Sequence, residues 1–236
     1  EDILCHIHEG QITLCDGGRC PFLCPDGLCS IISELGESYT SLICREHPRF
    51  YHRVGDRVEG GIGLCCEEAA RIILSSDAYS SFTPCEHTPE IAEETDFDSI
   101  PHRDFIYSLL CDKGVSYDKT IDAIEEKYSL KTPIHSACEW NEILAELEYL
   151  DESHREILVF REGRGEHYDI YRRFLAYLVF RHVSVAEGYE NLRARLGFCL
   201  LLTRIFEGLT VESDMSFDCI CDLARIISEE IEYSED

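Results

Sequence analysis

Cys20, Cys29, Cys44 and Cys66 stand at the edges of turn-rich segments. Their contexts are Cys20-Pro21-Phe22-Leu23, Gly27-Leu28-Cys29-Ser30-Ile31, Cys44-Arg45-Glu46-His47-Pro48-Arg49-Phe50 and Leu64-Cys65-Cys66-Glu67. Four thiolates satisfy a tetrahedral zinc ion or a four-iron cluster. The chain holds 14 cysteines, eight in residues 1–76 and six in the remaining 160, so its front has a task specific to cysteine. The spacings are wider than those of paired-cysteine zinc knuckles, and spacing alone is a weak signal. Folding energetics weigh more, since a structural metal contributes on the order of 10 kcal/mol to folding. The alternative is four unligated, buried cysteines.

Neighbouring residues offer lesser candidates. His6 and His8 have a zinc-binding side chain, but at i, i+2 they read as solvent-facing strand residues. His47, between Cys44 and Pro48, suits a supporting or structural role better than ligation. Arg45 and Arg49 flank it and suit either a carboxylate or an exposed, salt-bridged role. Adjacent side chains at a helix start diverge, so one of Cys65 and Cys66 is the expected ligand, and Cys66 is chosen. The stretch Glu59-Gly60-Gly61-Ile62-Gly63 faintly echoes a glycine-rich cofactor loop. Such a loop should leave a strand and open a helix, so a tight turn beside the cysteines is the expectation. The later cysteines, Cys85, Cys111, Cys138, Cys199, Cys219 and Cys221, lie in apolar helical patterns and read as core.

The elements that must position these groups divide into three stretches: a cysteine-cluster module over 1–76, a linker or loop over 77–97, and a helical domain over 98–236. In residues 1 to 64 short apolar stretches are broken by Asp16-Gly17-Gly18, Pro25-Asp26-Gly27, Gly55-Asp56 and Gly60-Gly61. That pattern predicts loops, hairpins and at most one or two helical turns. So small a region with so little periodicity needs a staple. From Cys66 the run Glu67-Glu68-Ala69-Ala70-Arg71-Ile72-Ile73-Leu74 predicts a helix, with acids in the first turn where the dipole favours them.

Helical spacing dominates thereafter. Ser99 is expected to cap a helix carrying Phe105, Ile106, Leu109 and Leu110, and Ser116 one carrying Tyr117, Ile121, Ile124 and Tyr128. Trp140, Ile143, Leu144, Leu147 and Leu150 mark a third. Two broader apolar helices are expected over about 167–187 and 189–208, then a last one with Ile220, Leu223, Ile227 and Ile231. Five or six helices with short joins imply a bundle, so the fold class is mainly α: a small irregular cysteine-rich metal-binding module followed by an α-helical bundle.

With 21 basic and 47 acidic residues the formal charge is −26. A surface so acidic repels a phosphate backbone and an anionic membrane, so neither nucleic acid nor membrane is an expected partner. The longest apolar runs, Phe174 to Phe180 and Phe198 to Leu202, fall short of a membrane span. The sequence opens on Glu1-Asp2-Ile3-Leu4 without an initiator Met or a signal-peptide pattern, so a missing front segment and a cytoplasmic location are expected. An even cysteine count also suits a secreted disulfide framework. The helical two-thirds would not need such bridges, and intracellular thiol chemistry is preferred.

The succession Arg19-Cys20-Pro21-Phe22-Leu23, Gly27-Leu28-Cys29-Ser30-Ile31, Glu34-Leu35-Gly36-Glu37, Cys44-Arg45-Glu46-His47-Pro48-Arg49, then Cys66 before Glu-Glu-Ala-Ala-Arg resembles the cysteine-cluster domain of the flagellin lysine-N-methylase (FliB) family, itself related to zinc- or iron-chelating proteins. Later, Tyr171-Arg172-Arg173-Phe174-Leu175-Ala176-Tyr177-Leu178-Val179-Phe180-Arg181 resembles that family's aromatic and arginine-rich helix, and residues 224–234 its closing segment. The likeness brackets about 19 to 234 and is loose in the middle. The family usually carries a further cysteine cluster upstream, ending in a Cys-Cys pair, and more often has Ser at the position of Cys65. Cys5, Cys15 and Cys24 have no placed counterpart, and Cys24 is the best spare ligand.

The resemblance implies methyl transfer from S-adenosylmethionine to lysine side chains of flagellin or another lysine-bearing protein, with an iron–sulfur cluster or zinc held by Cys20, Cys29, Cys44 and Cys66. Such a reaction needs the amine deprotonated and aimed at the methyl carbon. No methyltransferase motif is visible, and no catalytic residue is assigned. The rival is a non-catalytic zinc- or iron-binding protein acting in protein interaction.

Overall fold

The computed structural model of the chain describes residues 3–8, 11–15, 19–77, 81–84, 93–212 and 214–233. The fold is mainly α, and the chain divides into two compact units, Glu1–His47 and Pro48–Asp236. Residues 48–76, grouped by sequence with the cysteines ahead of them, lie in the second unit.

In the first unit, β1 (Ile7–His8) and β2 (Gln11–Ile12) form a two-residue antiparallel pair, and two short helices follow, α1 (Ser30–Leu35) and α2 (Leu42–Glu46). Turns join them, as the glycine-punctuated sequence predicts, with Gly27 and Gly36 at φ of 84° and 98°. Ser41 begins α2 by accepting a hydrogen bond from the Cys44 N–H at 3.2 Å. Among the described residues only Phe22 and Ile31 are buried apolar side chains in this unit.

The second unit opens with an antiparallel hairpin, β3 (Arg49–Val54) and β4 (Arg57–Ile62). Its connection is Gly55-Asp56, and Gly55 takes φ of 61°, a conformation glycine adopts without a Cβ clash. A third strand, β5 (Glu93–Thr95), lies parallel to β3 in register His52 to Glu93, which gives the order β4-β3-β5. It falls in the stretch read from sequence as a linker; residues 78–80 and 85–92 of that stretch lie outside the described residues.

Then come α3 (Glu67–Ser75), α4 (Ile100–Cys111), α5 (Tyr117–Tyr128), α6 (Ala137–Ala145), α7 (Tyr168–Leu178), α8 (Tyr189–Leu209) and α9 (Phe217–Ile227). Apolar spacing explains the faces they bury. α5 turns Tyr117, Thr120, Ile124 and Tyr128 inward, and α7 buries Tyr171, Phe174, Leu175 and Leu178. The core closes where α7 meets α8, with Phe174 stacked on Phe206 at 4.3 Å between ring centroids. α6 ends sooner than its apolar pattern suggests, leaving Leu150 beyond it and 82% exposed.

Buried charges are matched. Arg172 donates to the carbonyls of Leu109, Leu110 and Val115, where the C-terminal end of α4 favours a cation. Glu230 accepts from the Leu150 and Asp151 N–H groups and from His154 Nδ1 at 2.6 Å. Two helices continue into single π-helical turns: α7 into Val179–Val183 and α9 into Ser228–Glu232.

Candidate functional site

The four thiols singled out by sequence are divided between the units. Cys20, Cys29 and Cys44 belong to the first and Cys66 to the second. In the first unit Cys20 accepts the Leu23 N–H in a turn, Cys29 forms an isolated bridge with Leu23 and precedes α1, and Cys44 sits in the first turn of α2. Cys24 accepts the Gly27 N–H at 3.0 Å, while Arg19 braces the same loop through the carbonyls of Leu23 and Cys24. Every described cysteine is a free thiol. Among the described residues no three His, Cys, Asp or Glu side chains are grouped so as to hold a metal ion. His6 is engaged otherwise, edge-on to Phe22 at 5.5 Å, and His8 is exposed.

Of the later cysteines expected in the core, Cys199 and Cys221 are buried, but Cys111, Cys138 and Cys219 are exposed. The reason is register: each exposed thiol falls on the solvent side of its helix while the larger neighbours turn inward. Cys85 lies outside the described residues. Burial pushes the Cys221 thiol up to about 11 and Cys199 further still, so both are inert packing groups.

Cys66 occupies the N-cap of α3, at the end of a turn fixed from below. The Leu64 N–H donates to the Tyr177 hydroxyl at 3.2 Å, and that hydroxyl donates on to Glu232 at 2.9 Å. Burial holds the Tyr177 phenol far above its usual range, with Glu232 adding to it, so the proton stays on Tyr177. Glu232 also receives Ser228 Oγ at 2.6 Å and pairs with His182 Nε2 at 3.1 Å. The two π-helical turns are thereby joined through one carboxylate. Cys65 is drawn into this network: burial pushes its thiol up, a hydrogen bond with Tyr233 opposes that, and Glu232 reinforces it.

Beside this turn, wholly within the second unit, lies a cavity of about 710 Å³. Its walls come from the hairpin, the end of α3, residues 81–84, α4 and α7. Phe50, Phe82, Phe180, Tyr107 and Tyr177 make the lining strongly aromatic. The Phe180 ring is 5.7 Å from both Phe50 and Phe82, tilted by 48° and 46°. Gly61 is needed here, because a Cβ on it would lie 2.5 Å from Phe50 Cζ and 2.8 Å from Phe180 Cε1. Gly60 and Gly61 sit within β4 rather than at the tight turn expected from sequence, and they make room for rings.

Glu59 contributes a carboxylate to the cavity wall, and that carboxylate is already engaged. Both Arg103 terminal nitrogens donate to it, one of them to Oε1 at 2.9 Å, and His52 Nε2 lies 3.2 Å from Oε2. Burial by itself pushes Glu59 upward, but the hydrogen bonds and charge of Arg103 and His52 outweigh it and hold the carboxyl at about 2. Arg103 is fixed further by Ser184 Oγ at 3.0 Å and by the Phe82 and Phe180 rings, 4.9 and 5.5 Å from its guanidinium carbon. A carboxylate so held is a poor proton acceptor. Arg173, also in the wall, is tied to the Leu74 carbonyl and Asp77.

The cavity therefore combines an aromatic lining with a carboxylate already paired to Arg103 and His52. His52, Arg57, Arg103 and the aromatic lining carry no motif in the sequence that marks them as one site. The one local signal was the glycine pair after Glu59; nothing in the chain announces that Arg103, 44 residues on, completes the charge balance. Comparison of the chain with protein-family models, with curated proteins and with solved structures found no match.

Proposed function

We propose that the chain is a flagellin lysine-N-methylase-like protein. It transfers methyl groups from S-adenosylmethionine to lysine side chains of flagellin or another lysine-bearing protein, and Cys20, Cys29, Cys44 and Cys66 hold zinc or an iron–sulfur cluster. The observation that carries the metal part is the poverty of the first unit's core. Phe22 and Ile31 are its buried apolar residues among those described, whereas Tyr39 and Ile43 are 68% and 81% exposed. A unit of this size needs a staple, and its thiols carry no disulfide among the described residues. Four soft sulfur donors suit either inorganic group.

The donor chemistry fits, yet the described side chains do not converge in threes. In small metal modules ligation and folding are one event, so the reading requires the thiols to be drawn together when metal binds. The methyl-transfer part rests on the succession of cysteine segments that resembles the methylase family. No residue is assigned as base, because the cavity carboxylate, Glu59, is spent on Arg103.

The non-catalytic reading draws support from that same spent carboxylate, which leaves the cavity's acid without a proton-transfer role. One preparation separates the two. Protein purified without oxygen and reconstituted with iron or zinc should carry metal, shield about four thiols from titration, and label flagellin lysines from S-adenosylmethionine. Metal without labelling leaves the interaction protein, and a full count of reactive thiols with no metal retained sinks both.

A further inference from the structure

The cavity of the second unit is built for a ligand of definite chemistry. At about 710 Å³ it falls within the range of small-molecule sites, which run from roughly 300 to 1,000 Å³. Three phenylalanine rings, Phe50, Phe82 and Phe180, stand in tilted succession along it, and Phe82 is half-exposed, its ring reaching solvent. Such walls favour a flat aromatic group.

The charges decide the rest. Glu59 is ionised but neutralised by Arg103, and Arg173 is shared with Asp77, so these groups leave little net field. Arg57 differs. It lines the cavity from the start of β4 and is exposed, and its guanidinium has no ion-pair or hydrogen-bond partner among the described residues. A chain with 47 acids and 21 bases has acids to spare for pairing, yet no described acid pairs with this guanidinium beside its aromatic walls. A free guanidinium makes forked, charge-assisted bonds to carboxylate or phosphate oxygens.

We propose that this cavity binds a nucleoside-sized ligand, its planar heteroaromatic base against Phe82 and Phe180 and its anionic group on Arg57. Where the anion is a carboxylate the inference rests on the methylase reading and deepens it, since S-adenosylhomocysteine is the product of that reaction. Where it is a phosphate the inference stands apart, and in both cases it needs neither the cysteines nor a metal. The anion has two possible sources, an amino-acid carboxylate or a phosphate, and calorimetric titration distinguishes them. The probes are S-adenosylhomocysteine, adenosine monophosphate and adenosine, titrated into the whole chain, the Arg57→Gln variant and the Phe82→Ala variant. Both substituted side chains are exposed, and circular dichroism checks that each variant keeps its helices.

At least one anionic probe should bind, roughly tenfold tighter than adenosine. Arg57→Gln should bring that probe down to the level of adenosine, and Phe82→Ala should weaken every probe that binds. Preference for S-adenosylhomocysteine assigns the carboxylate, and preference for the monophosphate assigns the phosphate. The proposal is overturned if neither anionic probe binds the intact chain, or if the anionic probe binds Arg57→Gln as well as wild type. Binding is read without metal, so failure of metal retention or of lysine labelling leaves this result standing. Labelling that persists when Arg57→Gln binds the anionic probe like wild type sinks this cavity and not the methylase reading.

Discussion

The two compact units solve the folding problem in opposite ways. The second surrounds Phe174, Phe206 and Trp140 with helices and gives its buried charges, Arg103, Arg172 and Glu230, partners from the inside. Its apolar burial is large enough to offset the entropy of ordering the chain. The first holds short elements together through turn hydrogen bonds, with Phe22 and Ile31 as its buried apolar side chains among the described residues, while seven larger apolar residues from Leu14 to Ile43 remain exposed. Burial at that scale among the described residues is small for a fold to rest on, and thiols are what this stretch has in excess. If the first unit holds the metal proposed for it, stability is partitioned between the units: cooperative in the second, conditional on the bound group in the first.

The largest expected effect follows from that condition. Removing metal from reconstituted protein with a chelator should abolish amide-exchange protection in residues 19–47 and leave that of α7 and α8 unchanged. A bound structural metal is worth on the order of 10 kcal/mol, more than any single side chain here. Equal protection of residues 19–47 before and after chelation would show that the first unit stands unaided and would remove the reason for a metal.

Core truncation probes the same contrast at a smaller scale. Phe206→Ala removes a fully buried ring from its stack with Phe174 and should lower the denaturant transition of the second unit by about 3–5 kcal/mol. Ile31→Ala should leave that transition within about 0.5 kcal/mol of wild type. If both substitutions shift one common transition, the chain folds as a single cooperative block and the partition is lost.

Arg103→Met strands the Glu59 carboxylate in the core, and breaking a buried pair in this way costs about 3–5 kcal/mol. The pH dependence has a definite sign. Glu59 is held at about 2 when folded, from 4.5 otherwise, so its contribution is complete above pH 4.5 and drains away as pH falls toward 2. Glu59→Gln should flatten the stability curve across that window relative to wild type, because no proton is then taken up at this site. An unchanged acid limb would mean that the pair does not set it.

Much of the helical unit was legible because long periodic segments announce themselves. α5, α8 and α9 fall where apolar spacing places them, and the helix following Cys66 begins on its acids. What escaped were features set by distant partners. β5 is three residues in a polar stretch and exists because β3 offers it a parallel edge. Ser99 stands at the N-cap of α4 as expected, but its hydroxyl donates to the Ser184 carbonyl instead of capping, since the site is buried against residues 85 positions on. The cavity was hidden for the same reason: its aromatic rings come from hairpin, loop and three helical elements, and only the glycines that clear space for them are contiguous in the chain.

The sharpest test of the partition is the smallest in energy. Ser41 and Ser216 make the same bond, each accepting the N–H of the cysteine three residues on, Cys44 and Cys219, at 3.2 Å. Both are exposed N-caps in extended conformation, so the local chemistry of the two alanine substitutions is matched. An N-cap serine contributes about 1 kcal/mol where its helix is coupled to a cooperative core. α9 is coupled in this way, burying Ile220, Leu223 and Ile227, and Ser216→Ala should lower the main transition by that amount. α2 buries none of its residues, so Ser41→Ala should leave the main transition where it was and speed amide exchange only around residues 42–47. Equal shifts from the two substitutions would mean that the energy of a local bond reaches the whole chain wherever it is made, and that the two units are one.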